Sequence, residues 1–452
     1  MVENDFSKGS VAKHIFQIAG PMIIAQLINV LYNVIDRVYI GRIPEVSTLA
    51  MGGLGLCLPL ISIIIAFANL VGMGGSPLCS IARGKGDLKE AEEIMGNSMT
   101  LLLIFSIVIM VVGFLFKEPI LCLFGASADT FSYANEYITI YLFGTVFSLI
   151  GLGMNSFINS QGFAKVGMMT VLLGAITNII LDPLFIFVFS LGVRGAAIAT
   201  VFSQMISALW TLHFLTGKTT ILKIKKENMK LQKRYVQKII SLGMAGFMMA
   251  LTNSIVTIVC NSTLQQYGGD LYIAIMTIIN SIREVASLPG QGITNASQPV
   301  LGFNYGAKRY DRVIKGIQFT TITSLSLMLL LWLLINLFPY QAMRIFTSDP
   351  EILNHGISAI RLYFFGFFMM ALQMSGQAAA VGLGKSKQAI FFSVFRKVII
   401  VAPLTIILPR YIGIDGVFVA EAISNFIGGG ACYLTMWLTI GKSLKKHELN
   451  IS

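Results

Sequence analysis

Gln298-Pro-Val-Leu-Gly-Phe-Asn-Tyr-Gly306 repeats, 222 residues on, the pattern of Ser76-Pro-Leu-Cys-Ser-Ile-Ala-Arg-Gly84: a polar residue, a proline, and a glycine seven positions past it. Working outward, Tyr141-Leu-Phe-Gly144 is answered at the same offset by Tyr363-Phe-Phe-Gly366. Gly162-x-x-Lys165 and Pro183 return as Gly382-x-x-Lys385 and Pro403 at 220, and Gly192-Val-Arg-Gly195 as Gly413-Ile-Asp-Gly416 at 221. The chain reads as one unit of about 220 residues used twice. A doubled membrane unit places a shared cavity between its halves, as in many transporters, so transport is the first functional expectation.

The composition says which solvent this repeat folds in. Hydrophobic residues make up 55% of the 452 and charged residues 12%, with mean hydropathy +0.77. A soluble chain carries about twice that charge. Apolar stretches of spanning length recur at 15–40, 51–78, 95–116, 136–158, 166–190, 195–216, 239–264, 271–300, 317–339, 358–380, 388–409 and 416–440. The fold class is therefore an all-α polytopic membrane protein with 12 transmembrane helices, six to a half. Six spans return the chain to the side it left. The repeats are then parallel, with a pseudo-twofold along the membrane normal. This divides the chain into an N-terminal six-helix lobe (1–216), a basic cytoplasmic linker (217–238) and a C-terminal six-helix lobe (239–452).

The net charge of +12 follows from topology. With both termini cytoplasmic, inner loops and tails hold 23 of the 33 Lys and Arg, eight of them between Lys218 and Lys238. The outer loops hold Arg42, Lys117, Arg194, Arg344 and Arg410. That asymmetry sets the orientation in a cell (plasma or inner) membrane and leaves no basic patch for nucleic acid. The first span is too long for a signal h-region and carries Asp36, so it reads as a retained helix. Segment Leu231–Ile240 reads as a solvated connector or as an amphipathic helix on anionic headgroups. Gly53-x-Gly55 and Gly84-x-Gly86 lack the flanking strand and the following Lys-Ser or Lys-Thr of a phosphate loop, so no nucleotide partner is expected. The five cysteines and four histidines show no metal-ligand or nucleophile spacing. No enzyme activity and no cofactor are expected.

Carboxylates within spans carry the chemistry, because each costs roughly 2.5–3.5 kcal/mol at a helix centre. Span 1 holds Asp36. Span 5 holds Asn178 and Asp182, spaced i and i+4 and so on one face. Span 6 holds Thr200. Counting 1.5 Å per residue puts all of them in the outer half of the bilayer. Two carboxylates, an amide and a hydroxyl at one depth form either an oxygen cage for a monovalent cation such as Na⁺ or a proton site shared by two repelling acids. Pro183 frees a carbonyl near residue 179 and favours a kink. In the second half the positions matching Asn178 and Asp182 are Val398 and Ala402. That half has its own charges, Arg283, Glu284, Arg361, Arg396, Lys397 and Glu421, read mainly as neutralising pairs. Arg283, Glu284 and Gln373 form its possible charge or substrate site, with Glu284 the foremost candidate.

Three strings carry a resemblance over essentially the whole chain: Ile35-Asp-Arg-Val-Tyr-Ile-Gly41, Asn178-Ile-Ile-Leu-Asp-Pro-Leu-Phe185 followed by Gly192-Val-Arg-Gly195, and Gln298-Pro-Val-Leu-Gly-Phe-Asn-Tyr-Gly-Ala-Lys308. They resemble the multidrug and toxic compound extrusion (MATE) family, bacterial type. The resemblance implies two six-helix lobes across a central cavity, and exchange of an amphipathic, typically cationic organic compound for H⁺ or Na⁺. It places the first-lobe cation site on Asp36, Asn178, Asp182 and Thr200. Members of another bacterial branch carry acids in spans 7 and 10, where this chain has Asn253, Asn261 and Gln373; the coupling is therefore expected in the first lobe. The chain is expected to act as a monomer. A lipid-linked precursor flippase and a non-transporting membrane scaffold or receptor are the alternatives.

Overall fold

The computed structural model describes residues 5–43, 47–124 and 127–449. Its helices are α1 (Val11–Ile40), α2 (Ser47–Gly84), α3 (Leu88–Leu123), α4 (Ala128–Phe143), α5 (Thr145–Ser160), α6 (Ala164–Pro183), α7 (Gly192–Thr216) and α8 (Lys233–Gly306). They continue as α9 (Tyr310–Leu337), α10 (Pro339–Arg344), α11 (Pro350–Phe364), α12 (Met370–Gly382), α13 (Ser386–Val394), α14 (Ala402–Ile407), α15 (Pro409–Ile412), α16 (Asp415–Met436) and α17 (Lys442–Leu449). Among the described residues ten helical stretches are long and apolar enough to cross a membrane, and α4 with α5 makes an eleventh, bent by 57°. The 74 residues of α8 would reach about 110 Å at 1.5 Å per residue, far beyond one crossing. Gly269, at φ 63 and ψ −161, breaks it into two. The total is twelve. Among the described residues there is no strand, as a backbone that must satisfy its own hydrogen bonds in lipid requires of an open bundle.

Two predicted spans, 136–158 and 358–380, are not continuous helices. The break falls at the repeated tetrapeptide. At Gly144 α4 gives way to α5, and at Gly366 α11 gives way to a 3₁₀ turn (Phe367–Met369) and then α12. Each glycine is where a neighbouring helix comes closest: a Cβ would stand 2.5 Å from Val201 at Gly144, and 2.7 Å from the Ala422 carbonyl at Gly366. The same sequence element thus interrupts the α-helix at a tight crossing in both halves.

Two compact units form. The first holds Gly20–Gly243, the second Phe6–Ala19 with Met244–Ser452. The first is built on one large core, from Ile40 and Leu54 through Met95, Leu102 and Phe157 to Ile239. Its closest crossing pairs Gly74 on α2 with the start of α8, where a Cβ on Gly243 would overlap the Leu70 carbonyl. In the second unit, cores centred on Phe364, Phe367 and Phe418 and on Leu301, Ile317 and Met436 are packed by α8, α9, α11, α12 and α16.

The linker leads into α8, which takes up the segment from Lys233 onward. The linker backbone is laced onto the first unit. Gln161 Oε1 accepts from Thr220 Oγ1 at 2.9 Å and from the amides of Ile221 and Leu222 at 2.9 and 2.8 Å. Asn97 donates to the carbonyls of Asn228 and Lys230 and accepts from the Gln232 amide at 2.7 Å. Glu92 pairs with Lys225 at 2.6 Å, which raises the ammonium pKa through that hydrogen bond and charge. A buried backbone without partners would be costly, and here polar side chains of α3 and α5 supply them. The sequence showed the charge of this segment but not these acceptors.

Candidate functional site

Four helices of the first unit each bring a polar pair spaced i, i+4 to one locus: Tyr32 and Asp36 on α1, Tyr137 and Tyr141 on α4, Asn178 and Asp182 on α6, Thr200 and Gln204 on α7. That spacing stacks two side chains on one face of a helix, so four faces make a two-layered polar wall. Asp36 is 8% exposed, Thr200 3%, and Asn178 and Asp182 are fully buried. All four residues singled out by sequence converge. Tyr32, Tyr137, Tyr141 and Gln204 were missed, although the i, i+4 spacing of polar side chains within apolar spans is the signal that marks them.

The hydrogen bonds leave a pattern. Asn178 Nδ2 donates to Asp182 Oδ1 at 3.3 Å and approaches Thr200 Oγ1 at 3.5 Å. Gln204 Nε2 donates to the Tyr141 hydroxyl at 3.1 Å, and the hydroxyls of Tyr32 and Tyr137 reach Thr200. The carboxyls of Asp36 and Asp182 meet in direct contact. Three buried oxygens then have no partner: Asp36 Oδ1, Asn178 Oδ1 and Asp182 Oδ2. Stranded acceptors of this kind are expensive in a low-dielectric setting, and two touching carboxyls cannot both be ionised there without a compensating charge. The arrangement can take up a proton or hold a small cation. Among the described residues no group of three or more His, Cys, Asp and Glu is placed to hold a metal ion.

Past Pro183 the backbone passes into a π turn, Leu184–Val188. The proline lacks the N–H that a regular turn would use, and the wider turn absorbs the mismatch beside Asp182. Beyond it Gly192, at φ 53, makes the sharp reversal into α7 that returns Thr200 to α6. Gly195 packs against the Phe185 backbone, 2.6 Å from where its Cβ would stand.

The cluster forms part of the wall of a cavity of about 390 Å³ inside the first unit. Asp36, Tyr141, Thr200 and Gln204 line it with Gln26, Asn29, Asn155 and Asn159, and Met22, Leu58, Ile61 and Phe147 add apolar surface. An apolar pocket with a few convergent polar groups is the usual shape of a small-molecule site.

The second unit departs from expectation. Glu284 is exposed, and Arg283 beside it is half-buried and feels Tyr363 and Glu421. Adjacent helical residues point about 100° apart, so one turned inward and the other did not. Gln373 is buried, and its backbone carbonyl accepts from Cys432 Sγ at 3.6 Å. The buried acid here is Glu421, held 3.0 Å from Arg396 and 3.2 Å from Lys397.

The MatE family profile matches the chain twice, over residues 21–184 and 245–407, more than half its length. The multidrug export protein MepA of Staphylococcus haemolyticus is 24% identical over 445 residues, 97% of this chain and 97% of its own. MepA of a Staphylococcus aureus strain is 23% identical over 438 residues, covering 96% and 95%. Among solved structures, the outward-facing conformation of a multidrug resistance MATE family transporter of the MOP superfamily superposes with TM-score 0.92 at 25% identity, covering 99% of each chain.

Proposed function

This chain belongs to the MatE family, and from that premise we propose that it exports amphipathic organic cations across the cell membrane in exchange for H⁺ or Na⁺. The observation that carries the reading is the meeting of Asp36 and Asp182, with three unpartnered oxygens among them and Asn178, beside a cavity that Asp36 itself lines. In this reading Asp36 and Asp182 hold the exchanged cation. Asn178 fixes Asp182 through its Nδ2 and offers its own oxygen, and Thr200 completes the set. The cavity takes the organic compound. Because Asp36 and Thr200 belong to both, cation and compound cannot be bound independently. Cation entry neutralises the carboxyl pair and removes the charge that attracts an organic cation, so the compound leaves. Linkage demands the reverse by the same factor, on the order of 5–150-fold for a typical coupling energy. The relatives named as multidrug export proteins support the substrate class.

Substrate efflux from liposomes holding the purified protein tests this. A pH gradient, and separately a sodium gradient, is imposed with no other energy source. Efflux driven by one of them, and lost in Asp36→Asn and Asp182→Asn, is the expected result. Efflux that ignores both gradients would remove the antiport reading.

A further inference from the structure

The offset that superposes the Gly192 and Gly413 turns, both left-handed at φ 53 and 67, also carries Thr200 onto Glu421 and Gln204 onto Asn425. The offset that matches the two tetrapeptides carries Tyr141 onto Tyr363, which interacts electrostatically with Glu421. The buried charge cluster of the second unit therefore occupies, within its own helices, the place of the first-unit polar wall. What fills it differs. Asp36 corresponds to Ile258, and Asn178 and Asp182 to Val398 and Ala402. The left-handed Gly162 and Gly384 set a second register at 222, which puts Ile400 and Leu404 there instead; both registers are apolar.

Into this place the chain inserts its own cations. Arg396 and Lys397 lie on a π turn, Phe395–Val401, whose i to i+5 bonding narrows the angle between neighbouring side chains. Both then reach α16: Arg396 bonds Glu421 at 3.0 Å and also Asn425, and Lys397 bonds the two Glu421 oxygens at 3.2 and 3.4 Å. Gly428 makes room, since a Cβ there would stand 2.6 Å from the Arg396 chain. Arg396, Lys397 and Glu421 are at most 6% exposed. We propose that Glu421 and Asn425 are the second unit's counterpart of the cation seat, and that Arg396 and Lys397 fill it permanently, so that this half exchanges no ion. The inference rests on reading the first-unit cluster as a cation seat.

The test counts cations bound to purified protein, with radiolabelled sodium and by proton uptake on titration. In an Asp36→Asn/Asp182→Asn/Arg283→Gln background, where the third arginine that acts on Glu421 is also gone, adding Arg396→Gln with Lys397→Met leaves Glu421 and Asn425 without a tethered cation. The expected result is a gain of one bound cation per molecule, lost again on Glu421→Gln. A folded double variant that gains none overturns the proposal, as does a cation in the background protein that Glu421→Gln removes. Failure of the first-unit reading shows differently, as cation binding that Asp36→Asn/Asp182→Asn leaves unchanged. Should the emptied variant not fold, the exchange Lys397→Glu/Glu421→Lys keeps the same tethered charges. It is expected to fold and pump at an unchanged rate, and a folded but inactive exchange variant overturns the proposal.

Discussion

Asn178 Nδ2 donates to Asp182 Oδ1 across 3.3 Å, one turn along the same helix. That single bond orients both side chains and leaves Asn178 Oδ1 and Asp182 Oδ2 without partners. The amide binds one carboxylate oxygen and leaves the other unpartnered. A helix surface alone supplies this geometry, since residues four apart are neighbours.

Removing either carboxyl should stop transport without harming the fold. Asp36→Asn and Asp182→Asn are each expected to bring gradient-driven efflux to the level of empty liposomes. Their melting temperature in detergent should stay the same or rise, because each relieves repulsion between two touching carboxyls. A marked fall in melting temperature would identify the pair as a structural bond instead.

Asn178 acts on the other members of the set, so its loss should weaken cation binding before it touches the compound. Asn178→Leu removes the donor to Asp182 and Thr200 and is expected to lower cation affinity by about 10–100-fold, the usual cost of an orienting partner. Thr200→Val should cost less, on the order of tenfold, for one hydroxyl. Cation titrations of both variants, with compound binding measured alongside, check the order.

Helix crossings give a contrast in stability. Gly243→Val puts a side chain into the Leu70 carbonyl and is expected to cost about 3 kcal/mol or more and to cut folded yield sharply. Gly55→Ala meets nothing within 4 Å, so it should be neutral or gain up to about 1 kcal/mol of helix propensity. Yields of monodisperse protein and melting curves decide between them.

The laced linker should depend on one acceptor. Gln161→Ala strands the amides of Ile221 and Leu222, at about 1–3 kcal/mol for each donor left buried, while the Thr220 hydroxyl keeps the Leu222 carbonyl. Limited proteolysis should then nick residues 217–232 at least tenfold faster, following the opening free energy. Gln161→Glu, which keeps the acceptor, should protect the segment.

Much of the fold could be read from the sequence because each span answers to the bilayer and not to its neighbours. Apolar length marks a crossing wherever it falls, and Lys and Arg mark the inner side. Asp36, Asn178, Asp182 and Thr200 could be found because polar groups stand out against an apolar background. Tyr32, Tyr137, Tyr141 and Gln204 were passed over, since a tyrosine in a span is equally at home in packing. Glu284 was preferred to Glu421 because sequence does not say which way a side chain turns. The structure leaves Glu284 exposed and gives Glu421 two cations.

By itself the amino-acid sequence determined that this chain is a twelve-span membrane bundle and which few residues in it pay the cost of polarity in lipid. Those properties are sums over local segments. Tertiary structure alone decided that Asp36 touches Asp182, that Gly144 is a bend, that Gln161 ties down the linker, and that Arg396 and Lys397 share one acid. Such contacts depend on the rotation of each helix about its own axis, which is set by packing against its neighbours and is not written in any one span.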